Sequence, residues 1–362
     1  MTTFVQSTRA GRSARRIIAI GAGKGGVGSS MITANLGIFL AQIGKRVVLV
    51  DLNLPDPGLH AWLGDLKPKR TINDLLGGRL KHIEDAVMDT SITGLYLVAG
   101  AAILPPDDKV GQMSGQLFEQ LETLDTDFVL VDLPSGLNPV ALDILGRADL
   151  SIVVTAATPD SVQASYRLFC AVFMRSLLSA QEIDDVSRDL LIEMSFTPGK
   201  LLTPREITGE LLELGSNLAR RAQELSETFH PQIIVNKTRI KADEDLGAAM
   251  VSAAMRWVGI RPRLLGSVGW DDNVWLALRR AQPLLIDFAR SRVCKDLERI
   301  VRGILSQEYK DLFAPSLISP PTKEKNLKTL SPRKDYVSLT TVLIHIYILG
   351  MGLVQLLIHL FF

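Results

Sequence analysis

Apolar residues along this chain fall into short unbroken runs, separated by longer stretches in which they recur every third or fourth position. The runs lie at 15–22 (RRIIAIGA), 45–51 (KRVVLVD), 127–132 (DFVLVD), 150–157 (LSIVVTAA), 231–237 (PQIIVNK) and 263–270 (RLLGSVGW), most of them bounded by turn formers. A strand covered on both faces has this pattern, because neither face needs polar residues. Helical spacing occupies 29–44, 138–146, 160–179, 204–229, 243–258 and 287–307. The alternation predicts a doubly wound, mostly parallel α/β sheet flanked by helices, with right-handed crossovers. Ligands of such sheets sit beyond the carboxyl ends of the strands, so each strand end is a place to look for chemistry.

Past Phe313 the pattern breaks. Residues 314–336 carry four prolines and a lysine excess and are expected to form a linker. The last 26 residues, 337–362, hold no formal charge and are long enough to cross a bilayer as a helix, a candidate transmembrane tail. A hairpin packed on the main domain is the other reading. Lysines and an arginine precede the tail, so a spanning helix would keep the domain at 15–313 cytoplasmic and anchored to the inner membrane. Residues 1–14 are expected to be a flexible basic N-terminus; no long apolar run follows them, so they do not make a secretory signal.

Composition narrows the partners. With 47% hydrophobic residues and a net charge of +1, nothing points to a nucleic-acid partner, and the Arg220–Arg221 pair is expected to be a solvated face. Two cysteines, Cys170 and Cys294, without C-x-x-C spacing argue against a structural zinc, a C-x-x-C-held iron–sulfur cluster or a disulfide framework.

The chemistry gathers at the strand ends. After the first run comes GAGKGGVGSS, residues 21–30. A P-loop is written G-x-x-x-x-G-K-[ST]; counted from Gly23 to Gly28, the position that should be lysine is Ser29, while a lysine stands earlier, at Lys24. Asp51, Asp132 (followed by LPSG) and Asn236 close three further strands.

This set resembles the MinD/ParA family of P-loop ATPases, whose loop is K-G-G-x-G-K-[ST]. The stretches ANLGIFLAQIGKRVVLVD, FVLVDLPSGLNPVALDIL and LLGSVGWDDNVWLALRRAQPLL look especially like its FlhG-like branch, over roughly 15–305. The resemblance implies ATP and Mg2+ as cofactors. Gly23, Lys24, Gly25, Gly26, Val27, Gly28, Ser29 and Ser30 would wrap the phosphates, with the backbone N–H groups from Gly25 to Ser30 pointing inward. Ser30 and Asp132 would hold the metal, Gly136 would be the switch glycine and Asn236 the adenine reader. Lys24 matches the signature lysine that crosses a nucleotide-sandwich homodimer, and Asp51, Asn53 and Lys24 stand at the catalytic positions.

Departures from the family fall where the reaction would be done. Ser29 replaces the lysine that counters phosphate charge; one such pair at about 4 Å and an effective dielectric near 20 is worth up to roughly 4 kcal/mol. Asn53 replaces the water-positioning aspartate, and Gly58, after the stiffening prolines at 55 and 57, stands at the switch asparagine. The N-terminal D-Q-A-x-x-L-R element often found in the FlhG-like branch has no match in residues 1–16. The implied function is a nucleotide-dependent switch for positioning, flagellar or polar placement included, or for recruiting a protein partner at the membrane, with ATP binding weakened and hydrolysis slow or lost. The alternative is a pseudo-ATPase scaffold that binds partners regardless of nucleotide.

Overall fold

A computed structural model describes residues 15–54, 56–64, 67–101, 110–180, 183–195 and 202–313. The expected N-terminus, linker and apolar tail lie outside them, as does Pro55. Among the described residues no helix is long and apolar enough to cross a membrane. The chain divides into two compact units, Met1–Gly303 and Ile304–Phe362, and every site residue belongs to the first.

The first half runs β1 (Arg16–Gly21), α1 (Ser29–Gln42), β2 (Val47–Asp51), α2 (Ile72–Leu76), β3 (Val87–Asp89), β4 (Leu95–Val98), α3 (Val110–Leu121), β5 (Phe128–Asp132) and α4 (Pro139–Arg147). The second continues with β6 (Leu150–Ala156), α5 (Pro159–Leu178), α6 (Asp185–Ser195), α7 (Pro204–Glu213), α8 (Leu218–Thr228), β7 (Gln232–Thr238) and α9 (Lys241–Ala253). It closes with β8 (Arg263–Gly269), α10 (Asp272–Arg279), α11 (Leu284–Asp287) and α12 (Arg292–Phe313). One eight-stranded sheet has the order β3-β4-β2-β5-β1-β6-β7-β8, parallel except for the edge strand β3. The doubly wound architecture expected from the sequence is present, and all six apolar runs are strands.

Burial explains why those runs lack alternation. Every residue of β2 and β5 is buried, Asp51 and Asp132 included. An Ile, Leu or Val so covered contributes about 1.5–3 kcal/mol relative to staying in water. Helix α1 is buried on nearly all sides from Met31 to Ile38, so its hydrophobicity runs round the helix instead of forming a stripe.

Three sequence expectations need correction. The helix read over 204–229 is two: α7 stops at Glu213, the chain turns through Gly215 at φ 62°, and α8 begins at Leu218. A glycine in the left-handed region just past a helix end is a common terminator, and here it overrides apolar spacing that continues through the break. The helix read over 287–307 begins at Arg292, after a separate turn at Leu284–Asp287. Strands β3 and β4 were not expected; at three and four residues they are too short for run-based detection. Helices α5 to α8 also bury a second apolar cluster, built around Phe173, Leu191, Ile207, Leu211 and Ala222.

Candidate functional site

The site forms where β1, β2, β5 and β7 end together. Asp51 on β2 and Ile20 on β1 both pair in register with Asp132 on β5. The loop after β1 therefore rises directly beside the two carboxylates. Its last glycine, Gly28, has φ 92°, and a Cβ there would lie 2.6 Å from Asn236 Nδ2. Only glycine meets both conditions without strain. Helix α1 then starts at Ser29 with no side-chain cap and no acidic residue in its first turn. The N–H groups of a first turn have no intrahelical acceptor, so this end is open to an anion.

Asn236 is buried, and both of its polar ends are engaged: Nδ2 donates to Val27 O at 2.8 Å and Oδ1 accepts from the Lys237 N–H at 2.9 Å. The residue expected to read a base is thus also the pin that ties the loop to β7. Gly136, at φ 84°, donates its N–H to Ala22 O at 2.8 Å and so packs the β5–α4 turn under the loop. The neighbouring Ser135 hydroxyl would stand 3.3 Å from a Cβ on Gly25.

The carboxylates differ in their partners. Asp51 is held by the backbone: Oδ1 accepts from the Asn53 N–H and Oδ2 from the Leu59 N–H, each at 3.1 Å. Burial pushes its pKa from 3.8 to about 6, opposed by those N–H groups and by His60. Asp132 receives the Thr33 hydroxyl on Oδ1 at 3.2 Å, but its Oδ2 is buried and, among the described residues, has no hydrogen-bond partner. Burial, with the Asp51 charge beside it, pushes Asp132 up to about 8, and the hydroxyls of Ser30 and Thr33 hold it back from rising further. A carboxylate oxygen orphaned beside a loop hydroxyl suits a hydrated divalent cation, which would supply the missing partner. Ser30 and Asp132 therefore fit a Mg2+ site.

A cleft of about 650 Å³ opens beside these strand ends. Gly25, Gly26, Gly28, Ser29, Ser30, Asn53 and Asn236 line it, so the loop, the carboxyl end of β2 and the end of β7 share one cavity. Asn53 sits at its edge, its Nδ2 donating to Asp56 O at 2.8 Å. Lys24 leaves the cleft and pairs instead with Asp160 at the start of α5, holding that carboxyl down at about 2.

Several contributors escaped the sequence reading. Thr33 stands one turn after Ser29 on α1 and reaches Asp132. Trp62, Trp270 and Trp275 line the cleft wall, and Arg239 lies 4.2 Å over the Trp270 ring. Lys237 follows Asn236 directly and donates from Nζ to Gly26 O at 2.6 Å. Its signal was adjacency to a strand-end residue already singled out; the tryptophans come from separate segments, and no local pattern joins them.

Comparison with known proteins gives concordant results. A family model described as "ParA: NUBPL iron-transfer P-loop NTPase" matches residues 13–169. The septum site-determining protein MinD of Synechocystis is 31% identical over 173 residues, 48% of this chain and 62% of that protein. The iron-sulfur cluster carrier protein of Bacillus subtilis is 31% identical over 147 residues, 41% of each chain. The chain therefore covers less than two thirds of these relatives' own lengths. Among solved structures, MinD of Pyrococcus horikoshii complexed with Mg-ADP superposes with a TM-score of 0.53 at 19% identity, covering 81% of this chain and 97% of that one. The MinC:MinD cell division complex of Aquifex aeolicus gives 0.52 at 19%, covering 85% and 98%. At such identities the structural likeness establishes the fold.

Proposed function

The chain belongs to the ParA/MinD family of P-loop NTPases, and from that premise we propose that it is a nucleotide-dependent switch that binds ATP with Mg2+ and turns it over slowly or not at all. The observation that carries this reading is the contrast inside one site. The means of holding phosphate and metal are present: the Gly28 backbone conformation, the uncapped start of α1 and the orphaned Asp132 Oδ2 beside Ser30. The means of driving cleavage are thinned: Ser29 has no charge to offer, and Asn53 can orient a water but cannot take its proton.

In this scheme the N–H groups of the loop hold the phosphate oxygens, and Ser30 with Asp132 holds the metal. When bound, Mg2+ supplies charge neutralisation of the β- and γ-phosphates. Thr33 and the Asn53 N–H keep the two carboxylates aimed, while Asn236 and Gly136 fix the loop between two strand ends. Lys24 is reserved for a second copy: in a nucleotide-sandwich homodimer it would leave Asp160 and cross to the partner's phosphates. The apolar stretch 337–362 would bring this switch to a membrane, where the nucleotide-bound dimer recruits a protein partner.

The two cysteines, Cys170 in α5 and Cys294 in α12, are both buried, which favours the switch reading over the iron-transfer label of the family model. The pseudo-ATPase alternative draws its support from Ser29 and from the Lys24–Asp160 pair, which holds the signature lysine within its own chain. Sedimentation of the full-length chain in detergent, with and without Mg·ATP, separates the two readings. A switch shifts from monomer to dimer with Mg·ATP. A scaffold keeps one state throughout, and that result would overturn the proposal.

A further inference from the structure

Loss of the loop lysine leaves a phosphate site short of positive charge, and the structure contains a side chain placed to restore it. Among the described residues that line the cleft, the cationic one is Lys237, set against the acids Asp56, Asp271 and Asp272. Lys24, the loop's own lysine, is turned away to Asp160. Lys237 comes from β7, on the far side of the loop from Asp132, and its exposed side chain bends over the loop to reach Gly26 O. One of the ammonium's three hydrogens is used there; two remain for an anion lying on the loop.

The backbone is arranged to aim it. The β7–β8 register slips between Asn236 and Thr238, and Lys237 sits at the slip with φ 62°. A bulge re-aims the side chain of the residue it displaces. The left-handed region is unfavourable for a long side chain, and such strained residues cluster at working sites. A glycine would occupy this corner without strain, yet the chain carries a lysine whose N–H is caught by Asn236 Oδ1 and whose Nζ is caught by the loop. One contact to the neighbouring Asn236 fixes the Lys237 backbone and one to Gly26 fixes its ammonium beside the loop.

We propose that Lys237 supplies from the sheet the phosphate-binding charge that Ser29 no longer supplies from the loop, making it a binding residue for the phosphates of a nucleoside di- or triphosphate. The inference rests on the nucleotide-binding reading above. It also gives the missing lysine a physical explanation: a cation on β7 and one at position 29 would converge on the same phosphate oxygens, so either alone suffices.

The test is a double-mutant cycle on Mg·ATP affinity of the full-length chain, measured by titration calorimetry for wild type, Lys237→Met, Ser29→Lys and the double variant. Lys237→Met is expected to weaken Mg·ATP binding by about tenfold or more in the wild-type background, the range of a lost charge-assisted contact. With Ser29→Lys present the same change is expected to weaken it by less than about threefold, because the two cations substitute for each other. Lys237→Gly, which accepts the left-handed backbone, guards against misfolding and is expected to lose as much as Lys237→Met. A loss of equal size in both backgrounds would mean that Lys237 only fastens the loop, and would overturn the proposal. So would an unchanged affinity in Lys237→Met. If wild type binds no Mg·ATP at all, the nucleotide-switch reading falls and this inference with it, a result distinct from wild-type binding that ignores Lys237.

Discussion

Asp51 and Asp132 stand in register on neighbouring parallel strands, both fully buried, at the strand ends beside the glycine-rich loop. Two carboxyls so placed do not ionise independently. Asp51, braced by the Asn53 and Leu59 N–H groups, ionises first, and its charge adds to the burial that keeps Asp132 protonated. The Asp132 carboxylate is therefore high in energy until something positive arrives.

That arrangement makes the ligand-free protein pH-sensitive in a defined direction. The native Asp132 carboxyl keeps its proton up to about 8, whereas the unfolded one releases it near 3.8. Between those values the unfolded chain binds fewer protons, so stability falls as pH rises through the window. Urea unfolding of the metal-free chain should show lower midpoints at pH 8 than at pH 5, and Asp132→Asn should flatten much of that decline. An unchanged pH slope in Asp132→Asn would show that this carboxyl is not the source.

The pairing of Lys24 with Asp160 yields a prediction about assembly rather than folding. Both side chains are about half exposed, and ion pairs in such settings add little to stability. Asp160→Asn should leave the melting midpoint within about 1 °C of wild type. It should lower the protein concentration at which Mg·ATP produces dimers, because Lys24 no longer has to leave a partner. Analytical ultracentrifugation decides this, and a higher dimerisation threshold in Asp160→Asn would show that the aspartate belongs to the dimer contact itself.

Gly28 should tolerate no side chain. Its φ of 92° and the 2.6 Å separation between a new Cβ and Asn236 Nδ2 act together. Gly28→Ala is expected to destabilise the chain by about 1–3 kcal/mol. It should also abolish nucleotide binding by breaking the Asn236–Val27 tie. Denaturant unfolding and calorimetry give the two answers; retained Mg·ATP affinity in Gly28→Ala would mean that the loop can reshape without its pin.

Asn53 predicts the catalytic ceiling. Its Nδ2 is bonded to Asp56 O, an acceptor that would repel a carboxylate and turn it toward the cleft. Asn53→Asp in the Ser29→Lys background should therefore raise ATP turnover by about tenfold or more, the lower end of what a positioned base contributes, as read by phosphate release. No increase would place the block elsewhere, for instance at the switch position held by Gly58.

How far the sequence discloses this protein follows from where its signals are local. The strands around the site were legible because β2 and β5 are buried on both faces and write continuous apolar runs. The loop, Asp51, Asp132 and Asn236 were legible because each lies at the end of such a run. Gly215 shows the limit for helices: one residue with a left-handed backbone outweighs apolar spacing that runs straight through it. Lys237 and Asp160 show the limit for sites, since each becomes meaningful only through a partner far away in the chain, Gly26 and Lys24 respectively. Nor could the sequence show that Asn236 spends its polar atoms on the loop and the next N–H.

The most direct test of the central claim is equilibrium binding of ATP to the full-length wild-type chain, with Mg2+ and with chelator, alongside Ser29→Lys. Wild type is predicted to bind Mg·ATP measurably below millimolar concentration, to lose most of that affinity with chelator, and to bind more tightly once Ser29 is lysine. Wild type that binds nothing at millimolar Mg·ATP, while Ser29→Lys binds well, would contradict the account and identify the site as one that no longer takes nucleotide.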